Sequence, residues 1–437
     1  MNRAFFCFCI LLFSIGARAQ TYTLQQCIDS ALKNDIPVQQ SALTARAAEI
    51  NLKQSRNNLL PDVNANINHG INSGRSIDPF TNTYVNQSVN TASYGLSSGI
   101  IIFNGLNLQS LIRQNMYAYD ASRMELQQKK DELVLTVIAA YLDALNAEDQ
   151  LQLAFTRALN SQKNFERLQT LNNLGAIKPS DLSDLKGEML GDQVGILDAR
   201  ASLENFKLAL ARLMNVPYDS TMRIEHVEVG EYLTMYESTA NQIYQNSLGQ
   251  FAHIKAVELR TRSRQYSVKA ARGLMYPRLT FGAGINTTYS SVAENAGTKI
   301  PYSSQLKNNR FSSVGLGLNI PIFNGMYARN RVKLAELDLK DAALTEENTK
   351  RQLRKDIEEA YLKMVNAYDR YKLLLDQVNA YAESFKAADV RFSAGVGTSY
   401  DYLVAKAKLD QANINLLNAK YGFVFRKKIL DYYNGKP

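Results

Sequence analysis

Apolar and polar side chains alternate with period two in four stretches of the chain. Val63, Ala65, Ile67 and Ile71 alternate with Asp62, Asn64, Asn66 and Asn68. Tyr94, Leu96, Ile100 and Ile102 alternate with Ser93, Gly95, Ser97 and Gly99. Leu279, Phe281, Ala283 and Ile285 alternate with Thr280, Gly282, Gly284 and Asn286. Val314, Leu316, Leu318, Ile320 and Ile322 alternate with Ser313, Gly315, Gly317 and Asn319. One apolar face against an Asn, Ser and Gly face predicts strands of about 9–11 residues with a wet side, as in a transmembrane barrel. A β-sandwich with one solvated face shares the alternation. The joining segments, residues 72–88 and 290–310, are long and rich in Asn and Ser, which suits exposed loops better than tight sandwich turns. Tyr84, Tyr94, Tyr289, Tyr302 and Phe311 could form interfacial girdles.

The period changes twice at the same words, Ile102-Phe103-Asn104-Gly105 and Ile322-Phe323-Asn324-Gly325. Asn-Gly marks a break, and a helical pattern follows. Over residues 106–172, Leu133, Val137, Ala140, Ala144, Leu151, Phe155, Ala158, Phe165 and Leu168 step by three, four or seven, the spacing of a coiled coil. Residues 326–393 repeat this with Leu334, Leu337, Leu344, Ile357, Tyr361, Met364 and Tyr368. Each would span about 100 Å at 1.5 Å per residue. Breaks at Gly175–Asp181 and Gly395–Asp401 predict αα-hairpin turns, Gly ending one helix and Ser180 or Thr398 capping the next. Return helices follow over 180–215 and 399–434. Ahead of the strands, 23–59 and 239–275 read as helices ended by Pro61 and Pro277.

These parts are a duplication. An offset of 220 carries Ala140-Tyr141-Leu142 onto Ala360-Tyr361-Leu362, Gly175 onto Gly395 and Asp181 onto Asp401. Upstream an offset of 216 carries Pro61 onto Pro277. The ordered series predicts two repeats, 20–215 and 239–437, joined by an irregular linker over 216–238.

Composition narrows the setting. Residues 1–19 read as a secretory signal: Arg3, an apolar run from Ala4 to Ile15, then Ala17-Arg18-Ala19. Cys7 and Cys9 fall inside it, leaving Cys27 without a disulfide partner. No later stretch is long and apolar enough for a membrane helix. The formal charge of +9 becomes +7 once Arg3 and Arg18 are removed. Its densest patch is Arg260, Arg262, Arg264, Lys269 and Arg272, read as a solvated helix face or a contact with anionic lipid headgroups.

Enzyme chemistry finds no support. Gly95-Leu96-Ser97-Ser98-Gly99 matches G-x-S-x-G but lies inside an alternating strand rather than at a strand–turn–helix elbow. Gly315-x-Gly317 lacks the third Gly of a dinucleotide site. His69, His226 and His253 stand apart, and no His, Cys or carboxylate cluster has metal-ligand spacing. No cofactor, metal, catalytic residue or nucleic acid is expected.

Four strands cannot close a barrel, and open edges do not persist in lipid. Copies would have to pool strands: two give eight, with an interior filled by side chains, and three give twelve, with room for a channel. A periplasmic coiled-coil adaptor or scaffold with β modules is the alternative. Taken in order and twice, the Pro-bounded strands, the Phe-Asn-Gly exits, the long helical hairpins and the tip turn Arg391-Phe392-Ser393-Ala394-Gly395-Val396 resemble the TolC-type outer-membrane efflux proteins across nearly the whole mature chain.

The resemblance implies an α+β membrane protein, a homotrimer with a 12-stranded barrel in the outer membrane and an α-helical barrel in the periplasm. It implies a passive exit duct of an efflux or secretion system, docked through a periplasmic adaptor onto an inner-membrane transporter of the RND, ABC or similar type. The family narrows its duct near the tip turns around Gly175 and Gly395. Asp181 and Asp401 match acidic positions six residues after each tip Gly. Phe392 stands where the family can carry a gating Tyr, and Gly397 where it can carry a partner Arg. An identical ion-paired latch is therefore not expected, and Lys178 is the candidate substitute cation. Both aspartates also suit a helix N-terminus on electrostatic grounds alone.

Overall fold

The computed structural model describes residues 21–77, 82–174 and 177–435. The signal segment 1–19 and Gly175 lie outside the described residues. Among those described, no helix is long and apolar enough to cross a membrane. The first half runs α1 (Leu24–Asn34), α2 (Ile36–Asn57), β1 (Asp62–Asn72), β2 (Val89–Phe103), α3 (Asn107–Asn173) and α4 (Pro179–Leu213). The second runs α5 (Ala240–Gln250), α6 (Ala252–Gly273), β3 (Arg278–Ser290), β4 (Phe311–Asn319), α7 (Tyr327–Ser393) and α8 (Ser399–Tyr433).

The single helices predicted over 23–59 and 239–275 are each two. Asp35 and Phe251 take extended conformations and end α1 and α5. Asp35 Oδ1 accepts from the Val38 amide at 2.8 Å, and Pro37 just beyond cannot donate to the preceding turn. The N-termini are also duplicated. Thr23 with Gln26 and Thr239 with Gln242 form reciprocal capping boxes.

The chain divides into two compact units. Among the described residues the first draws on 21–42, 125–174, 177–254 and 349–435. One core gathers Cys27 and Ala31 of α1, Val137, Tyr141 and Leu145 of α3, Leu210 of α4, and Tyr421 and Val424 of α8. A second gathers Ile243, Ile254, Ile357, Met364, Phe423 and Leu430. Each such side chain contributes about 1.5–3 kcal/mol when fully buried. Burial pushes the Cys27 thiol up to about 12, so it is an inert core group. The linker is less irregular than its composition predicts. Arg223–Ile224 pairs parallel with Thr21–Tyr22, and Glu225 O accepts from the Tyr141 hydroxyl at 2.7 Å.

The second unit, residues 43–124 and 255–348, carries the sheet, ordered β4-β3-β2-β1 and antiparallel throughout. Its register gathers the alternating residues onto common faces. Ala65 lies opposite Leu96, and Leu96 opposite Ile285; Ile100 lies opposite Phe281, and Phe281 opposite Leu316. On the other face Asn64 meets Ser97 and then Gly284, and Asn66 meets Gly95 and then Asn286. Glycine there makes room for a neighbour: a Cβ on Gly95 would lie 2.5 Å from Asn286 Oδ1. The apolar face is open, with Val63, Ile67, Val314 and Leu316 each about two-thirds exposed or more.

Two details depart from simple alternation. A bulge between Ile101 and Phe103 sets Phe103, not Ile102, opposite Leu279. β4 stops at Asn319, ahead of Pro321, which has no amide to give a ladder. The long polar segment 290–310 is also partly ordered. It holds the helix Tyr302–Asn308, whose buried Gln305 exchanges hydrogen bonds with the Ser290 amide and carbonyl at 2.9 and 3.0 Å. At both Phe-Asn-Gly exits two successive residues are left-handed: Gly105 and Leu106 at φ 65° and 60°, Gly325 and Met326 at 62° and 63°. A side chain at Gly105 would place its Cβ 2.5 Å from the Gly273 carbonyl oxygen.

Candidate functional site

The turn after α7 is closed by hydrogen bonds from Gly395 N to Phe392 O at 3.1 Å and from Val396 N to Arg391 O at 3.0 Å. This is the Schellman arrangement, with Gly395 left-handed at φ 74°. Thr398 then caps α8, its hydroxyl accepting from the Asp401 amide at 3.1 Å and donating to Asp401 Oδ2 at 2.8 Å. Exposed Asp401 therefore spends these contacts on its own turn. Gly397 backs onto the end of α7, where a Cβ would lie 3.1 Å from the Phe392 nitrogen. The Arg that the family can carry here would press on backbone.

Asp181 lies in the first turn of α4, behind Lys178 and Pro179. Its partner is not Lys178. Lys178 is exposed and, among the described residues, has no carboxylate within ion-pair distance. Instead the buried Ser399 hydroxyl lies 2.9 Å from Asp181 Oδ1 and 3.0 Å from Asp184 Oδ2. One proton serves two carboxylates, so Ser399 donates to one at a time and ties the start of α8 to the first turns of α4.

Phe392 is 7% exposed and stacks on Tyr402, ring centroids 5.2 Å apart, with Leu168 and Leu185 completing the cluster. Asn164 of α3 donates to the Tyr402 hydroxyl at 2.5 Å. Burial first, and then the charge of Asp389, raises the Tyr402 hydroxyl above its ordinary value. It stays neutral at physiological pH.

Farther along the hairpin, Lys406 is 4% exposed and donates to Glu188 at 2.5 Å, Asp192 at 2.8 Å and Asp410 at 3.0 Å. Arg157 of α3 lies 3.6 Å from Asp192 and 3.0 Å from Asp410, and the Ser161 hydroxyl donates to Asp192. Burial alone would lower the Lys406 ammonium, but hydrogen bonds to Asp192 and Glu188 and the charge of Asp410 hold it well above the ordinary lysine range. Three carboxylates thus converge as they would on a bound cation, and the cation they surround is Lys406. The spacing of ligand types along the chain gave no sign of this cluster, because its members lie on different helices.

Ser399, Tyr402, Lys406 and Asp410 stand at i, i+3, i+7 and i+11, one stripe of α8. That polar stripe was the signal in the sequence for residues that motif and spacing missed. The stripe contacts α4 through hydroxyl–carboxylate and ionic links, α7 through stacked rings, and α3 through the Asn164 amide and Arg157. It holds no nucleophile–base pair. Its links between helices are non-covalent.

A four-stranded sheet with one polar and one open apolar face, continued at two glycine exits into helices of 67 residues each, defines a membrane channel subunit with a helical extension. The profile of the outer membrane efflux protein family matches residues 27–216 and 243–424. The chain belongs to that family, one of channels and not of enzymes. It is 23% identical over 404 residues to outer membrane protein TolC of Vibrio cholerae, covering 92% of this chain and 88% of that one. In fold it is similar to CusC, with a TM-score of 0.81 at 17% identity over 95% of this chain and 92% of that one. It is likewise similar to the outer membrane protein VceC of Vibrio cholerae, with a TM-score of 0.78 at 16% identity over 94% and 96%. The chain is an outer-membrane exit duct of the efflux and secretion class. The alternative reading, a periplasmic adaptor or scaffold, is set aside.

Proposed function

We propose that three copies pool their sheets into one twelve-stranded barrel in the outer membrane and their helices into a hollow bundle in the periplasm. The observation that carries this reading is the sheet: among the described residues β1 and β4 each have a strand partner on one side only, and the apolar face lies open. In hydrocarbon each unpaired backbone group costs several kcal/mol, so the edges must meet edges of other copies. Twelve strands leave a lumen for the Asn, Ser and Gly face, where eight would fill it.

The duct is passive and takes cargo from an inner-membrane transporter through a periplasmic adaptor. It is closed at the hairpin tips, where Asp181 and Asp184 share Ser399 and where Phe392 and Tyr402 pack the turn. Asp401 adds negative charge at the entrance, and Gly395 shapes the turn. The test is conductance in planar bilayers together with heat-modifiable trimer bands. Asp401→Ala should raise the open conductance or lower cation selectivity. A soluble monomer, or an Asp401→Ala channel identical to the parent, would remove the duct or the role of Asp401 at the entrance respectively.

A further inference from the structure

Four stretches flank the strand–helix junctions: residues 50–61, 105–119, 266–277 and 326–335. They hold two, one, two and three Lys or Arg respectively, and no Asp or Glu. At the chain's own frequency of 41 acids in 437 residues, about four or five would be expected there. The eight cations compare with a formal excess of +9 for the whole chain, with Glu49, Asp62, Asp120 and Glu336 standing immediately outside the stretches. Basic residues thus cluster beside the junctions of the second unit.

That level is set by the helices. Arg113 lies six residues into α3, Lys269 four residues before the end of α6, and Arg331 four residues into α7. At 1.5 Å per residue all eight lie within about 10 Å of a strand–helix junction. A headgroup layer is about 5–8 Å deep on each side of the hydrocarbon. Of the eight, only Arg272 has a carboxylate within ion-pair distance among the described residues, Glu336 at 2.8 Å. Three others turn to tyrosine. Arg113 and Lys269 flank the Tyr266 ring at 5.7 and 4.4 Å, Tyr117 stacks on the same ring at 5.5 Å, and Arg331 lies 5.3 Å from the Tyr327 ring. Tyrosine with one apolar and one wet end suits an interface. Cations held on rings, without acid partners, keep their charge for another anion.

We propose that this collar binds the anionic headgroups of phospholipids in the leaflet facing the helices, and so fixes the depth of the barrel in the membrane. The proposal rests on the reading of the sheet as a membrane barrel. On surface helices elsewhere some cations are paired, as Arg354 is with Glu358 and Lys363 with Glu359; what sets the collar apart is the tyrosine rings beside its cations.

The chain has no Trp, so Tyr276→Trp introduces a single reporter at the junction. The full-length protein is reconstituted in phosphatidylcholine with increasing phosphatidylglycerol, either lipid brominated as a quencher. Wild-type background should favour phosphatidylglycerol, with the preference lost in high salt. Arg113→Gln with Lys269→Gln should lower the relative binding constant at least fivefold, about 1 kcal/mol. Lys363→Gln with Arg370→Gln, remote from the junctions, should leave it unchanged. Equal affinity for both lipids, or a preference that survives the collar variant, would overturn the proposal. Phospholipid retained by the Trp-free protein, weighed by native mass spectrometry, tests the same preference without the reporter. Trimer bands and conductance are read on the same vesicles. Their loss in the parent would sink the barrel reading, whereas their persistence without lipid preference would sink the collar alone.

Discussion

Lys406→Met tests whether the buried ion cluster holds the hairpins together. The ammonium is 4% exposed and faces three carboxylates. The 2.5 Å contact with Glu188 is the shortest, but that side chain is 32% exposed and water screens it. Asp192 and Asp410, 6% and 10% exposed, carry most of the interaction. Without Lys406, Arg157 alone opposes three negative charges, two of them buried. Removing one partner of a buried pair costs about 3–5 kcal/mol. Adding Asp192→Asn should return more than about 1 kcal/mol of this, because it removes a charge the variant cannot neutralise. The sign with pH follows. In the parent, Lys406 is raised above its unfolded value, so its contribution is complete below the ordinary lysine range and is lost only in strongly alkaline solution. Urea unfolding in detergent, followed by helical circular dichroism, measures both. A loss below about 1 kcal/mol at pH 7, or no recovery on adding Asp192→Asn, would refute the assignment.

Further outcomes are expected. Ser399→Ala leaves Asp181 and Asp184 without their shared donor and should cost about 1–3 kcal/mol in the same unfolding measurement, with Ser399→Thr recovering part of it. Gly397→Arg should fail to create an ion-paired latch and should lower stability, since its Cβ meets α7 backbone; a more stable variant would contradict the turn geometry. Ile67→Arg on the open apolar face should reduce the yield of membrane-inserted protein, at about 2–4 kcal/mol if the residue is near mid-bilayer, while Asn66→Ser on the opposite face should not. Gly105→Ala combines a left-handed backbone with a Cβ 2.5 Å from the Gly273 carbonyl, so it should lower the thermal midpoint more than Gly74→Ala, left-handed but in open space.

The sheet was legible because period two assigns a face to every residue, and a slip of one would turn Ile67 and Leu96 into the polar face. The exits were legible because Asn-Gly interrupts one period just before another begins. The breaks at Asp35 and Phe251 were less so. Pro37 hinted at the first, but at the second His253 replaces proline, and only the duplication links them. The site was legible as a place and not as a mechanism. Gly395 and Asp181 mark the turn, but the partner of Asp181 is Ser399, 218 residues away, and Lys406 meets Asp192 across 214. Charges on a long helix look solvated until another helix covers them, and the covering helix is invisible to local pattern. Lys178 was the candidate substitute cation. Its place ahead of Pro179 at the start of α4 leaves it exposed instead.

The pairing of Thr21–Tyr22 with Arg223–Ile224, and of β2 with β3, has a kinetic consequence. The first joins residues 202 apart and the second residues 176 to 199 apart, and the core around Cys27 and Tyr141 also needs Tyr421 and Val424 near the other end of the chain. Neither unit is contiguous in sequence. Loop closure must therefore precede most of the stabilising contacts, which slows folding. The two repeats share an ancestry of pattern but not an independent fold, and half a chain delivered across the inner membrane has nothing to close upon until the other half arrives.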